Sequence, residues 1–447
     1  MSRQKLHLKA PDNWVNDPNG FIYYKGQYHM FYQYFPYGPR WGTMHWGHAV
    51  SEDLVNWEHK GIALFPTKRE DQNGCFSGSA VEEDGKMYIV YTGIRYEGSN
   101  PEDIHVHQEH RFEATQMMMI SQDGQTFDNW ADKQVIIPPV TDGRIGHRMH
   151  TRDPKIWKGQ DAWYMILGST LHEKQGTALF YRSEDLHSWE YVNRALKPSL
   201  PGWMWECPDY FETEGGKVLL LSVMGIVENG GRREEHAVCF EVDFQEEGCR
   251  MDIPDDYQFL DYGMDLYAPQ TTLDEDGRRV MMAWLRMPEK TDAGWIGMFS
   301  SPRVVSVRNG HIYFQMHPNI RQAYSRKIAD VSEASPEGYM ACFDLQEEET
   351  VDLGGFLIYR KGNRICTDRR KVFAAVNGGY YAQSARLTSQ TPEIIGEARL
   401  EILVDENMVE VYVNDGEYVI TNAVYHLGRY ITSGEPKSIQ LYAPEEG

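Results

Sequence analysis

Apolar and polar positions along most of this chain alternate in short runs broken by turn residues, and helical periodicity is scarce. One arrangement recurs five times: Asp17–Tyr28 (DPNGFIYYKGQY), Ser77–Tyr88 (SGSAVEEDGKMY), Asp153–Gln160 (DPKIWKGQ), Glu206–Lys217 (ECPDYFETEGGK) and Tyr267–Arg278 (YAPQTTLDEDGR). Each is an apolar or alternating run, a Gly-containing two-residue turn and a second β-rich run such as Met87–Tyr91 or Val280–Trp284, which predicts a hairpin. The turn glycines Gly26, Gly85, Gly159, Gly216 and Gly277 follow one another at intervals of 59, 74, 57 and 61 residues by subtraction. A hairpin returning at roughly sixty residues predicts the blades of a propeller, each a four-stranded sheet packed around a common axis. Five of them account for residues 1–325.

A second repeat supports the first. Ser51–Trp57 (SEDLVNW) and Ser183–Trp189 (SEDLHSW) are near copies, and Ser121–Trp130 (SQDGQTFDNW) is a looser one. Ser and Asp side chains bond backbone amides in tight turns, so these segments are expected at the outer strands of the first three blades. Asn319–Ile328 reads as a short helix or linker, and 326–340 as the joint to a second domain. In 341–447 the pattern changes: Leu400–Thr421 alternates across several strands, with an Asn-Asp-Gly hairpin turn at Asn414. That predicts a β-sandwich and an all-β protein overall.

Equivalent positions in successive blades face one axial channel, so Asp17, Asp153 and Glu206 are expected to converge at one mouth. Two carboxyl groups are the minimum for a retaining glycosidase: one attacks the anomeric carbon, the other protonates the leaving oxygen and then deprotonates water. Singly, each acid has another reading. Asp17 lies in a segment dense in turn formers and suits an Asx turn, and Asp153 can simply pair with Arg152. Glu206, between Trp205 and Cys207 on an apolar strand, is costly to bury unless paired or protonated, and a raised pKa is what a general acid needs.

Composition narrows the partners. The chain has 447 residues, 41% hydrophobic and 13% aromatic, with 12 Trp and 27 Tyr, enough for two domains and rich in rings that pack sheets or stack on sugars. A formal net charge of −22 excludes nucleic acid and anionic membrane, which would repel it; a neutral sugar fits, as does a plain solubility role for the acidity. No transmembrane run occurs, the N-terminus lacks the apolar core of a signal peptide, and the six cysteines form no paired spacing. The expected location is the cytosol. His105, His107 and His110 offer ligand-type spacing, but in a polar loop without a nearby Cys or carboxylate at strand spacing; no metal and no cofactor is expected. Arg144, His147, Arg148 and His150 make a cationic group that, at a pocket rim, would suit a phosphate.

The segments Trp14–Gly20 (WVNDPNG), Trp41–His48 (WGTMHWGH), Phe76–Ser79 (FSGS), Arg152–Pro154 (RDP), Glu206–Pro208 (ECP), Asp261–Gln270 (DYGMDLYAPQ), Gly294–Gly297 (GWIG) and Val409–Glu417 (VEVYVNDGE) together resemble glycoside hydrolase family 32. Its members are invertases, fructanases and sucrose-6-phosphate hydrolases. The resemblance implies a five-bladed propeller followed by a β-sandwich, with Asp17 as nucleophile, Glu206 as acid/base and Asp153 holding fructose hydroxyls. It further implies that Arg152 orients the acids, that Asn16, Gln33, Trp41, Phe76, Ser77 and Trp284 line the fructose pocket, and that Cys207 tunes the acid/base. Val15, Leu266 and Ser301 depart from the family pattern, and the C-terminal module is short; none removes a catalytic group. The expected activity is a cofactor-free β-fructofuranosidase acting on sucrose and short fructo-oligosaccharides. Alternatives are sucrose-6-phosphate hydrolysis and, from a different class, a sugar-binding propeller without activity.

Overall fold

The computed structural model describes residues 3–98, 100–109, 111–229, 232–333, 338–373, 386–428, 431–433 and 439–444. The protein is all-β, and each of the five expected hairpins opens a separate antiparallel sheet. The sheets begin at Trp14–Tyr24, Cys75–Glu83, Arg152–Lys158, Met204–Thr213 and Leu266–Leu273. In the first three, the next strands follow in simple up-and-down order, and Arg3–Lys5 adds to the outer edge of the first.

The turns differ in detail from expectation. Lys25–Gly26 and Asp84–Gly85 have positive φ at both positions, the geometry that lets a two-residue turn follow strand twist. In the fourth hairpin the turn is Glu214–Gly215, and Gly216 already starts the second strand. The third and fifth hairpins close with wider loops, between Lys158 and Trp163 and between Leu273 and Arg279. The three Ser/Asp segments do join third to fourth strands. Asp53, Asp123 and Asp185 each accept two backbone amides, while Ser51, Ser121 and Ser183 accept a third.

The opening strands of the sheets adjoin one another through buried polar contacts. Gln270 accepts from Phe21 N–H and donates to the Gly78 carbonyl; Ser79 donates to the Pro154 carbonyl; Lys155 donates to Asp209 and to the Thr271 carbonyl. The first strand therefore meets the fifth, the second the third, and the third both the fourth and the fifth.

Pro318–Ala323 is a short helix capped by His317. Arg326–Ile328, within the segment expected as a linker, is instead a strand pairing with Gln440–Ala443 at the edge of a six-stranded sheet. A five-stranded sheet faces it, and the two share one apolar core that includes Phe343, Leu353, Ile358, Ile402 and Val411. This unit joins the first five sheets through buried charge. Arg303 bonds Asp261 (2.9 Å) and Glu410 (2.7 Å), and His7 lies between Asp405 (2.9 Å) and Glu410 (3.0 Å). Ser301, one of the departures from the family pattern, is buried here against Tyr412 and Glu410.

Candidate active site

Every opening strand breaks register within its first few residues. Bulges fall at Asn16–Asp17, at Ser77, at Asp153–Pro154, at Cys207–Pro208 and at Ala268–Pro269. Proline cannot donate to a strand ladder, so a proline inside each of four of these strands demands such a break. The bulge re-aims side chains: Asp153, Cys207 and Ala268 have φ of 63°, 44° and 49°, left-handed values that cost non-glycine residues energy and mark functional sites.

The bulges also correct the expected alignment. Counted from the proline, Asp17, Asp153, Cys207 and Ala268 are equivalent. Glu206 lies one residue earlier and matches Asn16, Arg152 and Tyr267 instead. Most of the contacts run within each set. Arg152 holds Glu206 Oε1 through Nη2 (2.6 Å) and Nε (3.2 Å), and Tyr267 donates to Oε2 (2.8 Å). In the other set the Cys207 thiol lies 3.5 Å from Asp17 Oδ2 and 3.7 Å from Asp153 Oδ2, and its backbone N–H donates to Asp153 (3.0 Å). Asp17 also accepts from Ser77 Oγ (2.6 Å) and from the Asn16 amide (3.1 Å), which in turn accepts from the Trp14 indole.

These groups open into a cavity of about 880 Å³. Asn16, Asp17, Gln33, Trp41, Phe76, Ser77, Arg152, Asp153, Glu206 and Trp284 all line it, and Cys207 sits behind the carboxylates. Phe76 meets Trp41 edge to face (5.8 Å), and Trp284 meets Trp14 in the same way (6.1 Å), so the apolar walls brace one another. Sequence reasoning missed Tyr267, whose place in the repeat beside Arg152 and Glu206 was a usable signal. It also missed two further acids lining the cavity, Glu289 and Glu235, the latter in a strand interior that carries no motif.

The expected cationic group does not assemble at the mouth. Arg144 is exposed and paired with Asp142, and Arg148 is held by Glu97 and Glu113; only His150 of the four lines the cavity. The lining cations are Arg40, Arg152 and Lys290. His105 is packed on Phe35 and Tyr37 and bonds Thr43 Oγ1, His107 stacks on Phe112, and His110 lies outside the described residues. The segment that carries them walls the cavity: Arg40 pairs with Asp103, and His107 and Tyr96 are lining residues.

Electrostatics follow from three carboxylates facing one buried guanidinium. Burial pushes Asp17 above the ordinary carboxylate range, the Ser77 hydrogen bond opposes this, and the Glu206 charge adds to it. Asp153 is pushed up to about 7, by burial against the pull of Arg152 and then by Glu206 and Asp17. The like charges and burial around Asp153 therefore favour its protonated form more than at an ordinary carboxylate. Burial would lower Arg152, but Glu206 and Asp153 raise it further, so it stays a cation. Burial and the surrounding carboxylates lift the Cys207 thiol far above its usual range, so it is neutral. Glu235 is raised by burial and by Glu206. A paired-acid arrangement in a cavity partly walled by aromatic rings can transfer a proton and form an ester at a sugar carbon.

The family model described as the N-terminal domain of glycosyl hydrolases family 32 matches residues 7–318, and that of its C-terminal domain matches residues 331–446. The chain is similar to the raffinose invertase of Escherichia coli, 32% identical over 98% of this chain and 91% of the relative. It is similar to a sucrose-6-phosphate hydrolase of Escherichia coli, 31% identical over 98% and 91%. Among solved structures, a family 32 β-fructofuranosidase of Bombyx mori superposes with a TM-score of 0.79 at 28% identity, covering 98% of this chain and 93% of that one. A variant of that enzyme was solved in complex with sucrose. The sucrose-6-phosphate hydrolase of Lactobacillus gasseri shares the fold, with a TM-score of 0.82 at 22% identity, covering 99% and 93%.

Proposed function

As a member of glycosyl hydrolase family 32, this chain is a glycoside hydrolase, and we propose that it is a retaining β-fructofuranosidase releasing terminal fructosyl groups from sucrose and short fructo-oligosaccharides. The five sheets are read as the blades of a propeller, and the two later sheets as a β-sandwich beginning at Arg326. The observation that carries the reading is the pairing of two differently dressed acids across one cavity. Asp17 is held by the neutral donors Ser77, Asn16 and Cys207, whereas Glu206 is aimed through both oxygens by Arg152 and Tyr267.

In the first step Asp17 attacks C2 of the fructosyl unit while Glu206 gives its proton to the glycosidic oxygen, and the C2–O bond breaks. In the second, Glu206 takes a proton from water, which displaces Asp17 and frees fructose. Asp153 accepts from fructose hydroxyls and supports positive charge at the ring, and Arg152 orients the acids. Asn16, Gln33 and Ser77 supply hydrogen bonds, and Trp41, Phe76 and Trp284 the walls. Two-step retention requires the Asp17 and Glu206 carboxyl groups to stand about 5–5.5 Å apart with sugar bound. No cofactor enters these steps. A cytosolic location is in keeping with cysteines that are all unpaired.

Sucrose-6-phosphate hydrolysis is the second reading, favoured by the names of several relatives and by Arg40 and Lys290 in the cavity wall. Values of kcat/KM measured in parallel on sucrose, sucrose-6-phosphate and 1-kestose separate the two. Comparable rates on sucrose and kestose are expected; a preference of about a hundredfold or more for the phosphorylated sugar, some 2.7 kcal/mol, would move the assignment. Asp17→Asn is expected to lower kcat by about four orders of magnitude or more, as loss of a nucleophile does, without altering the circular dichroism spectrum.

A further inference from the structure

Beside the cavity, two histidines and a glutamate from separate segments meet. His147 and His150 precede the third sheet's opening strand, and Glu173 lies in the hairpin between Trp163–Leu171 and Gln175–Ser183. His150 Nε2 stands 3.4 Å and His147 Nε2 4.0 Å from the same Glu173 oxygen, and all three ligand-type atoms fall within 4.8 Å of one another. The hairpin that presents Glu173 is strained. His172 and Glu173 have φ of 55° and 53°, positions where glycine or asparagine ordinarily sits. In addition, the buried Nδ1 of His147 has no hydrogen-bond partner within the protein.

We propose that His147, His150 and Glu173 form an inhibitory site for a divalent transition-metal ion of the Zn²⁺ class. Two imidazoles and a carboxylate, with open positions for water, are a donor set suited to such an ion. With bonds of about 2.0–2.2 Å, tetrahedral donors stand roughly 3.3–3.6 Å apart. The His150–Glu173 edge already has that length. The His147 edge closes when the two rings, now stacked at 5.1 Å, rotate toward the ion, and the half-exposed Glu173 follows.

Inhibition follows from the ring proton of His150. Its Nδ1 lies 3.1 Å from Arg152 Nη1, and a guanidinium only donates. Nδ1 is therefore the acceptor, and the neutral ring carries its proton on Nε2, toward Glu173. A metal ion bound at Nε2 moves that proton to Nδ1, where it faces the Arg152 donors. Arg152 must leave His150, and its two hydrogen bonds to Glu206 are disturbed with it. The inhibitory consequence rests on the acid/base role of Glu206; binding of the ion does not.

The test is calorimetric titration of Zn²⁺ into the metal-free full-length protein in a non-chelating buffer, alongside the rate of fructose release from sucrose. The expected result is one ion per chain and an inhibition that EDTA reverses. His147→Ala and Glu173→Gln each weaken binding at least about tenfold and relieve inhibition to the same degree, while metal-free kcat/KM stays within about twofold. Unchanged binding in both variants would overturn the site. Binding lost in the variants but without effect on the wild-type rate would overturn the link through Arg152. Because the calorimetric arm needs no substrate, a protein that failed to cleave sucrose would refute the proposed activity without touching the metal site.

Discussion

At the scale of single residues, the site works by giving chemically similar groups different neighbours. Asp17 and Asp153 are equivalent in the repeat, yet Asp17 receives three side-chain donors while Asp153 receives a backbone N–H and the Arg152 charge. Cys207 is the hinge of that difference. As a neutral thiol it adds no charge, only a hydrogen bond that favours ionised Asp17. Cys207→Ala removes that donor, and the left-handed backbone accepts it, since Ala268 already occupies the matching position at φ 49°. The sign follows directly. Asp17 must be ionised to attack, and losing a donor raises its pKa further. The acid limb of kcat/KM is therefore expected to move to higher pH in Cys207→Ala, and an unmoved or lowered limb would show that the thiol does not act on Asp17. Tyr267 offers a complementary case. Its hydroxyl donates to Glu206 Oε2, and a typical hydrogen bond contributes about 0.5–1.5 kcal/mol, so Tyr267→Phe is expected to lower kcat by roughly two- to tenfold with little change in fold, as read by steady-state kinetics.

At the scale of elements, the bulged opening strand is the unit that makes a site out of a repeat. The second of these strands depends on Gly78. A Cβ there would stand 2.0 Å from the Val90 carbonyl oxygen and 2.7 Å from Tyr91 Cα, both backbone atoms that cannot turn aside. Gly78→Ala is thus expected to destabilise the protein by about 2–3 kcal/mol, seen as a lower urea midpoint, and to weaken activity by displacing the adjacent Ser77. The hairpins themselves were legible, because Lys25–Gly26 and Asp84–Gly85 carry the turn chemistry that a two-residue loop demands. The convergence of Asp17, Asp153 and Glu206 was legible too. Their alignment was not, since a bulge adds a residue that neither alternation nor spacing records, and Glu206 was placed one position from its true equivalents. Pro18, Pro154, Pro208 and Pro269 held that information: each interrupts a different strand, and a strand interrupted by proline must break its ladder. Glu235 had no such marker. Arg144 and Arg148 illustrate the opposite failure, a charge cluster adjacent in sequence whose members are neutralised by acids from other strands.

At the scale of the whole molecule, a buried network of opposite charges fastens the later sheets to the first five. Glu410 is fully buried, yet its carboxyl is held down at about 2, because Arg303 and His7 outweigh the effect of burial. A depressed carboxylate contributes stability above its ordinary value near 4.5 and loses it as the pH falls toward 2. Glu410→Gln leaves Arg303 and His7 facing an uncharged partner in the interior. It is expected to cost about 3–5 kcal/mol at neutral pH, and to blunt the loss of stability between pH 4.5 and 2, both measured by urea unfolding. A change of under about 1 kcal/mol would mean that packing alone joins the units. The measurement that bears most directly on the proposed chemistry is the configuration at C2 when sucrose is cleaved in the presence of methanol, followed by NMR. Double displacement through Asp17 gives methyl β-D-fructofuranoside as the first methanolysis product, whereas the α-anomer would mean a single inverting displacement and contradict the assignment of Asp17 as nucleophile.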